Sequence, residues 1–322
     1  MPRMTATQSH PPSAGSALQC QALVKTFDGQ VAVGGLDLSV RTGTIFGLLG
    51  PNGSGKTTTI RTCLGIYRPD GGSVTLLGSR DPLSVRHRVG YLPEERGLYA
   101  RMKVREQLAF LASIRGLTLR ESDRRADAWL ERVGLADRAN VLTREMSKGM
   151  QQKVQFAAAV IHDPEFVVLD EPFSGLDPVN ARLLQDLIFE QRDRGTTVVL
   201  STHQMDQVEA MCESICLIDK GRPVLGGRLS DIKAEYGRNT VAVEYVGPRD
   251  RLAGIAGVRA CHDTGRLARL QLEPGTDAQQ VMRAVFDRVE VRSVRLDEPH
   301  IEEIYLDKVG SVRLSAAAPV PA

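Results

Sequence analysis

The segment GPNGSGKT at 50–57 fits the pattern Gly-x-x-x-x-Gly-Lys-Ser/Thr, after an apolar run and before the helix-like TTTIRTCLG. Gly53 and Gly55 permit backbone conformations that turn successive N–H groups inward. The loop Gly50, Pro51, Asn52, Gly53, Ser54, Gly55 and the helix start at Thr58 can then cradle phosphate oxygens with donors and a positive dipole. In such a cradle Lys56 reaches the β- and γ-phosphates of ATP, and Thr57 ligates Mg²⁺. A cradle alone does not hydrolyse anything. The second element is FVVLDEP, an apolar strand ending in two acids: Asp170 is placed to hold Mg²⁺, and Glu171 to polarise an attacking water as general base. The chemistry predicted is transfer of a phosphoryl group to water.

These residues need a scaffold that ends several strands at one edge. From Leu18 to about Ile232 short apolar strands alternate with helical stretches, among them TIFGLLG (44–50), FVVLD (166–170) and TVVLST (197–202). The last two are continuously apolar, as strands covered on both faces are, so they belong centrally in a mostly parallel sheet. Between about 97 and 161 strands give way to segments such as VREQLAFLASIRG and ESDRRADAWLERVG, with apolar residues at helical spacing: a helical insertion. After Gly237 the pattern changes again. NTVAVEYVG and RLARLQLE alternate like strands with one exposed face, TDAQQVMRAVFDRVE reads as an amphipathic helix opening at a Thr or Asp cap, and VEVRSVRL and HIEEIYLDKVG read as a further strand and helix.

From about Leu18 to Lys233 the chain resembles the ATPase subunits of ABC transporters. REMSKGMQQK resembles the family's signature loop, SGLDP (174–178) its D-loop, STHQ (201–204) its switch and GYLPEERGLY (90–99) its Q-loop, all in the family's order. The resemblance implies a P-loop NTPase of the ABC type, α/β in class, with a helical subdomain and a small α+β accessory domain behind it. It implies that two ATPase domains sandwich two nucleotides, so that Ser147, Lys148, Gly149 and Met150 act in trans on the partner's γ-phosphate. It further implies Asp177 in the D-loop, His203 as the γ-phosphate sensor, and Phe27 stacked on adenine. Two departures stand out: Glu94 replaces the Q-loop glutamine, where it is expected to contact the metal site, and Lys148 and Met150 replace Gly and Gln of the signature. Both recur in exporter ATPases of the ABC-2 kind, to which the chain is similar, as it is to sodium- or drug-efflux subunits.

The expected organisation is a disordered arm at 1–17, an ATPase domain at 18–236 with its helical subdomain at about 97–161, an accessory domain at 237–309, and a disordered tail at 310–322. The 322 residues, 42% hydrophobic and 25% charged, have an ordinary globular composition. With 41 Lys and Arg against 39 Asp and Glu there is no whole-molecule field to draw in polyanions, and no nucleic-acid partner is expected. The five cysteines are scattered and odd in number, which suits reduced thiols, with Cys212 and Cys216 as small buried hydrophobes. His10, His87, His162, His262 and His300 are not at ligand spacing and read as surface or capping residues. No run approaches the length needed to span a bilayer and the first residues lack a signal peptide's apolar core, so the expected place is peripheral, on the cytoplasmic face of a membrane. The expected partners are a second copy or a homologous ATPase subunit, and separately encoded membrane permease subunits. The reading is an ATP-driven motor for an ABC-2 type exporter. The alternatives are a soluble ABC ATPase acting on ribosomes, DNA or protein assemblies, and a regulatory module that binds ATP without turnover.

Overall fold

A computed structural model of the chain describes residues 15–95, 97–236, 240–273, 275–298 and 300–316, without the side chains of 249 and 309–316. The chain divides into two compact units at Gly226/Gly227. The first runs through β1 (Ser16–Phe27), β2 (Gln30–Arg41), β3 (Ile45–Leu49), α1 (Lys56–Cys63), β4 (Gly71–Leu76) and β5 (Val89–Leu92). It continues through α2 (Val104–Ser113), α3 (Leu119–Arg132), α4 (Lys148–Val160), β6 (Phe166–Asp170), α5 (Pro178–Asp193), β7 (Thr197–Thr202), α6 (Met205–Met211), β8 (Ser214–Asp219) and β9 (Arg222–Arg228).

A six-stranded sheet has the order β5-β6-β7-β3-β8-β9, and the pairs β5–β6, β6–β7, β7–β3 and β3–β8 are all parallel. Every residue of β3, β6 and β7 is buried, as expected of apolar strands covered on both faces. The register pairs Leu49 with Thr202 and with Leu217, Asp170 with Ser201, and Leu92 with Leu169, so the five parallel strands end close to one line and the loops leaving them converge. The carboxyl edge of such a sheet is where ligands bind.

A separate antiparallel sheet, β2-β1-β4, packs its Leu18, Leu23, Val33 and Leu36 against Phe46, Leu48, Val168 and Val199 of the parallel sheet, with Ile60 and Cys63 of α1 in the same core. Asp28 and Gly29, with φ of 48° and 77°, make the two-residue turn between β1 and β2; positive φ at both positions suits the twist of a tight hairpin. The alternating reading at 18–232 did not distinguish this sheet from the parallel one, because both supply short apolar runs. Helices α2 to α4 form the insertion, and among the described residues no strand lies between 97 and 161. Its packing includes Trp129 edge-on to Phe156, ring centroids 6.0 Å apart. Cys212 and Cys216 are buried, and all five cysteines are free.

The second unit comprises α7 (Leu229–Tyr236), β10 (Thr240–Val246), β11 (Val258–Asp263), β12 (Leu267–Leu272), α8 (Ala278–Phe286), β13 (Glu290–Asp297) and α9 (Ile301–Ala316). Its sheet, β11-β12-β10-β13, is antiparallel throughout, and Val241, Val243, Tyr245, Leu270 and Leu272 meet Val281 and Val285 of α8 in one core. Asp277 caps α8, accepting from the Gln279 N–H.

The observed limits differ from the sequence reading at both ends and at the junction. Residues 1–14 of the expected arm lie outside the described residues, and β1 has begun by Ser16. The division falls at 226/227 rather than 236/237, because α7 groups with the second unit. Helix α9 continues past Val309 to Ala316; no proline stands before Pro319 to stop it, and residues 317–322 lie outside the described residues. Of the surface and capping readings, His162 fits the second: it is partly buried, its ring Nε2 3.2 Å from the Val89 carbonyl at the start of β5.

Candidate active site

A cleft of about 470 Å³ opens at the carboxyl edge of the parallel sheet, bordered by Asn52, Gly53, Gly55, Lys56, Thr57 and Thr58, with Glu94 and Glu171 facing them. The loop between β3 and α1 is shaped by two glycines that tolerate no side chain. A Cβ on Gly50 (φ 152°) would lie 2.2 Å from the Ile218 carbonyl oxygen, and one on Gly55 (φ 107°) 2.4 Å from that of Ala32. Gly53 (φ 76°) has open space around it and needs glycine for its backbone angle alone.

Lys56 donates to the carbonyls of Gly50 at 2.7 Å and Pro51 at 3.2 Å, folding its ammonium across its own loop. Burial lowers its pKa, opposed by the charges of Glu171, Asp170 and Glu94. Thr57 donates its hydroxyl to Asp170 Oδ2 at 3.0 Å. Asp170 is fully buried and its other oxygen, Oδ1, has no hydrogen-bond partner. Burial pushes the Asp170 carboxyl above the usual range; the nearby Ser201 hydroxyl, itself without a hydrogen-bond partner, and the Thr57 bond oppose this, and the charges of Glu94 and Glu171 add to it.

Glu171 follows β6 with φ of 49°, the left-handed region that non-glycine residues enter at a cost. Its N–H donates to the Ser201 carbonyl at 2.8 Å, continuing the β6–β7 ladder one residue past Asp170. Its carboxylate is held from three directions: Oε2 accepts from the Thr202 hydroxyl at 3.2 Å, while Oε1 accepts from the His203 N–H at 3.1 Å and lies 2.8 Å from His203 Nδ1. The His203 side chain is half-exposed, so its other nitrogen remains available to a ligand.

The residues fit Mg²⁺. A buried carboxylate oxygen without a partner, a hydroxyl already on that carboxylate, and Glu94 across the cleft are hard oxygen donors suited to such an ion. Among the described residues no group of three or more His, Cys, Asp or Glu could hold a metal ion by itself.

Other expected residues stand apart from the cleft. Ser147 caps α4, accepting from the Met150 N–H at 3.3 Å; Ser147 and Lys148 are exposed, and Gly149 and Met150 follow in the same turn. Asp177 caps α5, bonding the N–H and side chain of Asn180 at 2.9 and 2.6 Å. Phe27 is 41% exposed and packs edge-on against Tyr67 at 5.3 Å; it does not itself border the cleft, but its neighbour Thr26 pairs with Val31, which does.

Several contributors escaped the sequence reading. Val31, Ala32, Lys220 and Gly221 border the cleft, and the Gly221 N–H donates to the Ser54 carbonyl at 2.8 Å, tying the β8–β9 turn to the phosphate loop. Thr202 holds the carboxylate of Glu171, and Gln152 donates to the Pro172 carbonyl beside it. The three glutamines of MQQKVQ on a helix with buried apolar neighbours were the available signal for the last.

Two family models match the chain. One described as ABC transporter matches residues 33–174, and one described as ATP-binding protein DrrA1-3-like, C-terminal domain, matches 227–309. The uncharacterized ABC transporter ATP-binding protein YhaQ of Bacillus subtilis is 40% identical over 290 residues, covering 90% of this chain and 97% of that one. The Nod factor export ATP-binding protein I of Burkholderia pseudomallei is 38% identical over 243 residues, 73% of this chain and 80% of the relative. A solved structure of an ATP binding subunit of an ABC transporter superposes with a TM-score of 0.64 at 32% identity, covering 69% of this chain and 93% of its own.

Proposed function

The chain belongs to the ATP-binding subunits of ABC transporters, and from that premise we propose that it hydrolyses ATP with Glu171 as general base to drive a separately encoded membrane exporter. The observation that carries the assignment is the convergence, in one cleft, of a phosphate cradle, a cation, a buried metal-binding carboxylate and a second carboxylate held by His203.

Lys56 exchanges the carbonyls of Gly50 and Pro51 for β- and γ-phosphate oxygens, while the N–H groups of the loop and the first turn of α1 bind the remaining oxygens. Asp170, Thr57 and Glu94 hold Mg²⁺, which when bound neutralises charge on the phosphates. A water placed against the γ-phosphorus loses its proton to the Glu171 carboxylate as its oxygen bonds to phosphorus and the β–γ bridge breaks, leaving ADP and phosphate. His203 steadies Glu171 through Oε1 and faces the transferred phosphate with its free side. Phe27 meets the adenine ring.

The exposed Ser147 and Lys148 at the start of α4 give a partner's γ-phosphate a helix N-terminus and a cation in trans, with Gly149 and Met150 completing the turn and Asp177 close to the partner. The partner is a second copy or a homologous subunit. These contacts exist only in the closed dimer, so ATP favours closure and hydrolysis reverses it. No described helix is long and apolar enough to cross a membrane. As a transporter's ATPase subunit the chain works at the cytoplasmic face, bound to permease subunits. The similarity to a Nod factor export protein and to a DrrA-like C-terminal domain supports outward transport.

The test is affinity purification of the tagged chain from detergent-solubilised membranes, followed by mass spectrometry and a Mg²⁺-dependent ATPase assay on the complex. A multi-spanning subunit recovered in fixed ratio supports the exporter motor. Recovery with soluble partners only overturns it in favour of a cytosolic ABC ATPase.

A further inference from the structure

Helix α4 begins at the exposed Ser147 and runs into the interior, where polar side chains are rare unless they bond. Gln151, Gln152 and Gln155 are all buried on it. Gln151 Nε2 donates to the Thr143 carbonyl at 2.9 Å and to the Met146 carbonyl at 3.1 Å, fixing the turn that leads to Ser147. Gln152 Nε2 reaches the loop after β6 instead, donating to the Pro172 carbonyl at 2.9 Å, with the Glu171 carbonyl at 3.4 Å.

That loop is under local strain. Glu171 has φ of 49°, Pro172 fixes its own φ and lacks an N–H, and the Pro172 carbonyl sits where little water reaches. The side chain of Glu171 is held from β7, through Thr202 and His203; on its C-terminal side Gln152 of α4 holds the Pro172 carbonyl at 2.9 Å and, more weakly, the carbonyl of the Glu171–Pro172 peptide at 3.4 Å. Rotation of that peptide would swing the Glu171 Cα–Cβ bond, and the carboxylate with it. A misplacement of about 1 Å is enough to cost roughly a hundredfold in rate.

We propose that Gln152 is a positioning residue for Glu171: its amide ties down the two successive carbonyls of Glu171 and Pro172 and so holds the carboxylate on the attacking water. Because the same helix starts at Ser147, the aim of the base in one copy is tied to the segment that meets the other copy's nucleotide. The proposal rests on Glu171 being the general base.

The test is a double-mutant cycle in the full chain, assayed with its membrane partner, using Gln152→Leu and Glu171→Gln. Gln152→Leu is expected to lower kcat about tenfold or more while changing KM for MgATP less than about twofold. In the Glu171→Gln background it is expected to change the residual turnover less than about twofold, since the carboxylate it aims is already gone. The proposal is overturned if Gln152→Leu keeps kcat within twofold of the parent, or if it lowers turnover by the same factor with and without Glu171. Full turnover by Glu171→Gln alone removes the base assignment, and the proposal with it, whatever Gln152→Leu does. Gln152→Met, flexible and closer in length, serves as second variant; loss of ATP binding in both apolar variants would make Gln152 a folding residue and overturn the positioning role.

Discussion

Thr57 and Asp170 lie 113 positions apart, yet the hydroxyl of the first donates to the carboxylate of the second at 3.0 Å. The bond joins the first turn of the phosphate-loop helix to the end of β6 and brings together two oxygen donors of the proposed Mg²⁺ site. Thr57→Val keeps the shape of the side chain and removes the oxygen. The Mg²⁺ concentration giving half-maximal ATPase activity is expected to rise about tenfold or more, as for loss of one charge-assisted bond worth about 1.5–3 kcal/mol. A magnesium titration of turnover reads this directly, and an unchanged midpoint would take Thr57 out of the metal site.

Glu171→Gln can keep the His203 N–H bond on its amide oxygen and donate its amide N–H to the Thr202 hydroxyl, but cannot accept the proton of water. Turnover is expected to fall by about 10² to 10⁴ with ATP binding retained. The variant should then accumulate as an ATP-bound dimer, seen by size-exclusion chromatography with Mg²⁺-ATP. Wild-type turnover would reject Glu171 as base.

Glycines 53 and 55 separate two kinds of constraint. Gly53→Ala meets open space and bears only the backbone cost of positive φ, about 1–2 kcal/mol. Gly55→Ala adds a Cβ 2.4 Å from the Ala32 carbonyl oxygen, raising the cost to roughly 2–4 kcal/mol and displacing the loop. Calorimetric unfolding should rank the two in that order, with ATP affinity lost in Gly55→Ala and largely kept in Gly53→Ala.

The His162 ring carries a pH signature unrelated to catalysis. Burial, followed by the nearby Arg115 charge, lowers its pKa from 6.5 to about 4. The unfolded chain therefore takes up a proton at this residue near pH 6.5 while the folded chain does not, and stability rises with pH wherever the unfolded state holds more protons. Stability is present in full above pH 6.5, is lost as pH falls from 6.5 towards about 4, and levels off below; the drop is on the order of 3 kcal/mol. Thermal melts of the parent and of His162→Gln across that window check it: the variant's profile should be flatter.

What the amino-acid order determined alone was everything that depends on neighbours in the chain. The phosphate loop needs a particular run of small residues followed by Lys56 and Thr57, and its conformation is set by backbone angles within eight positions. The continuous apolar runs of β6 and β7 foretold burial on both faces, and a parallel sheet follows because helices must then lie between its strands. Resemblance of the later motifs supplied Ser147, Asp177 and His203 as candidates without showing what they touch.

Tertiary structure alone decided what depends on register between distant segments. The pairing of Asp170 with Ser201, and of Leu49 with Thr202, brings the ends of β3, β6 and β7 level; only then do Thr57, Asp170, Glu171 and His203 meet. The antiparallel sheet was hidden because its apolar runs look like those of the parallel one. His162 was left between surface and capping roles because nothing near it in sequence shows the Val89 carbonyl beside which it lies. Gln152 was hidden for the same reason: an amide on a helix has many possible acceptors, and only packing against the loop after β6 selects the Pro172 carbonyl.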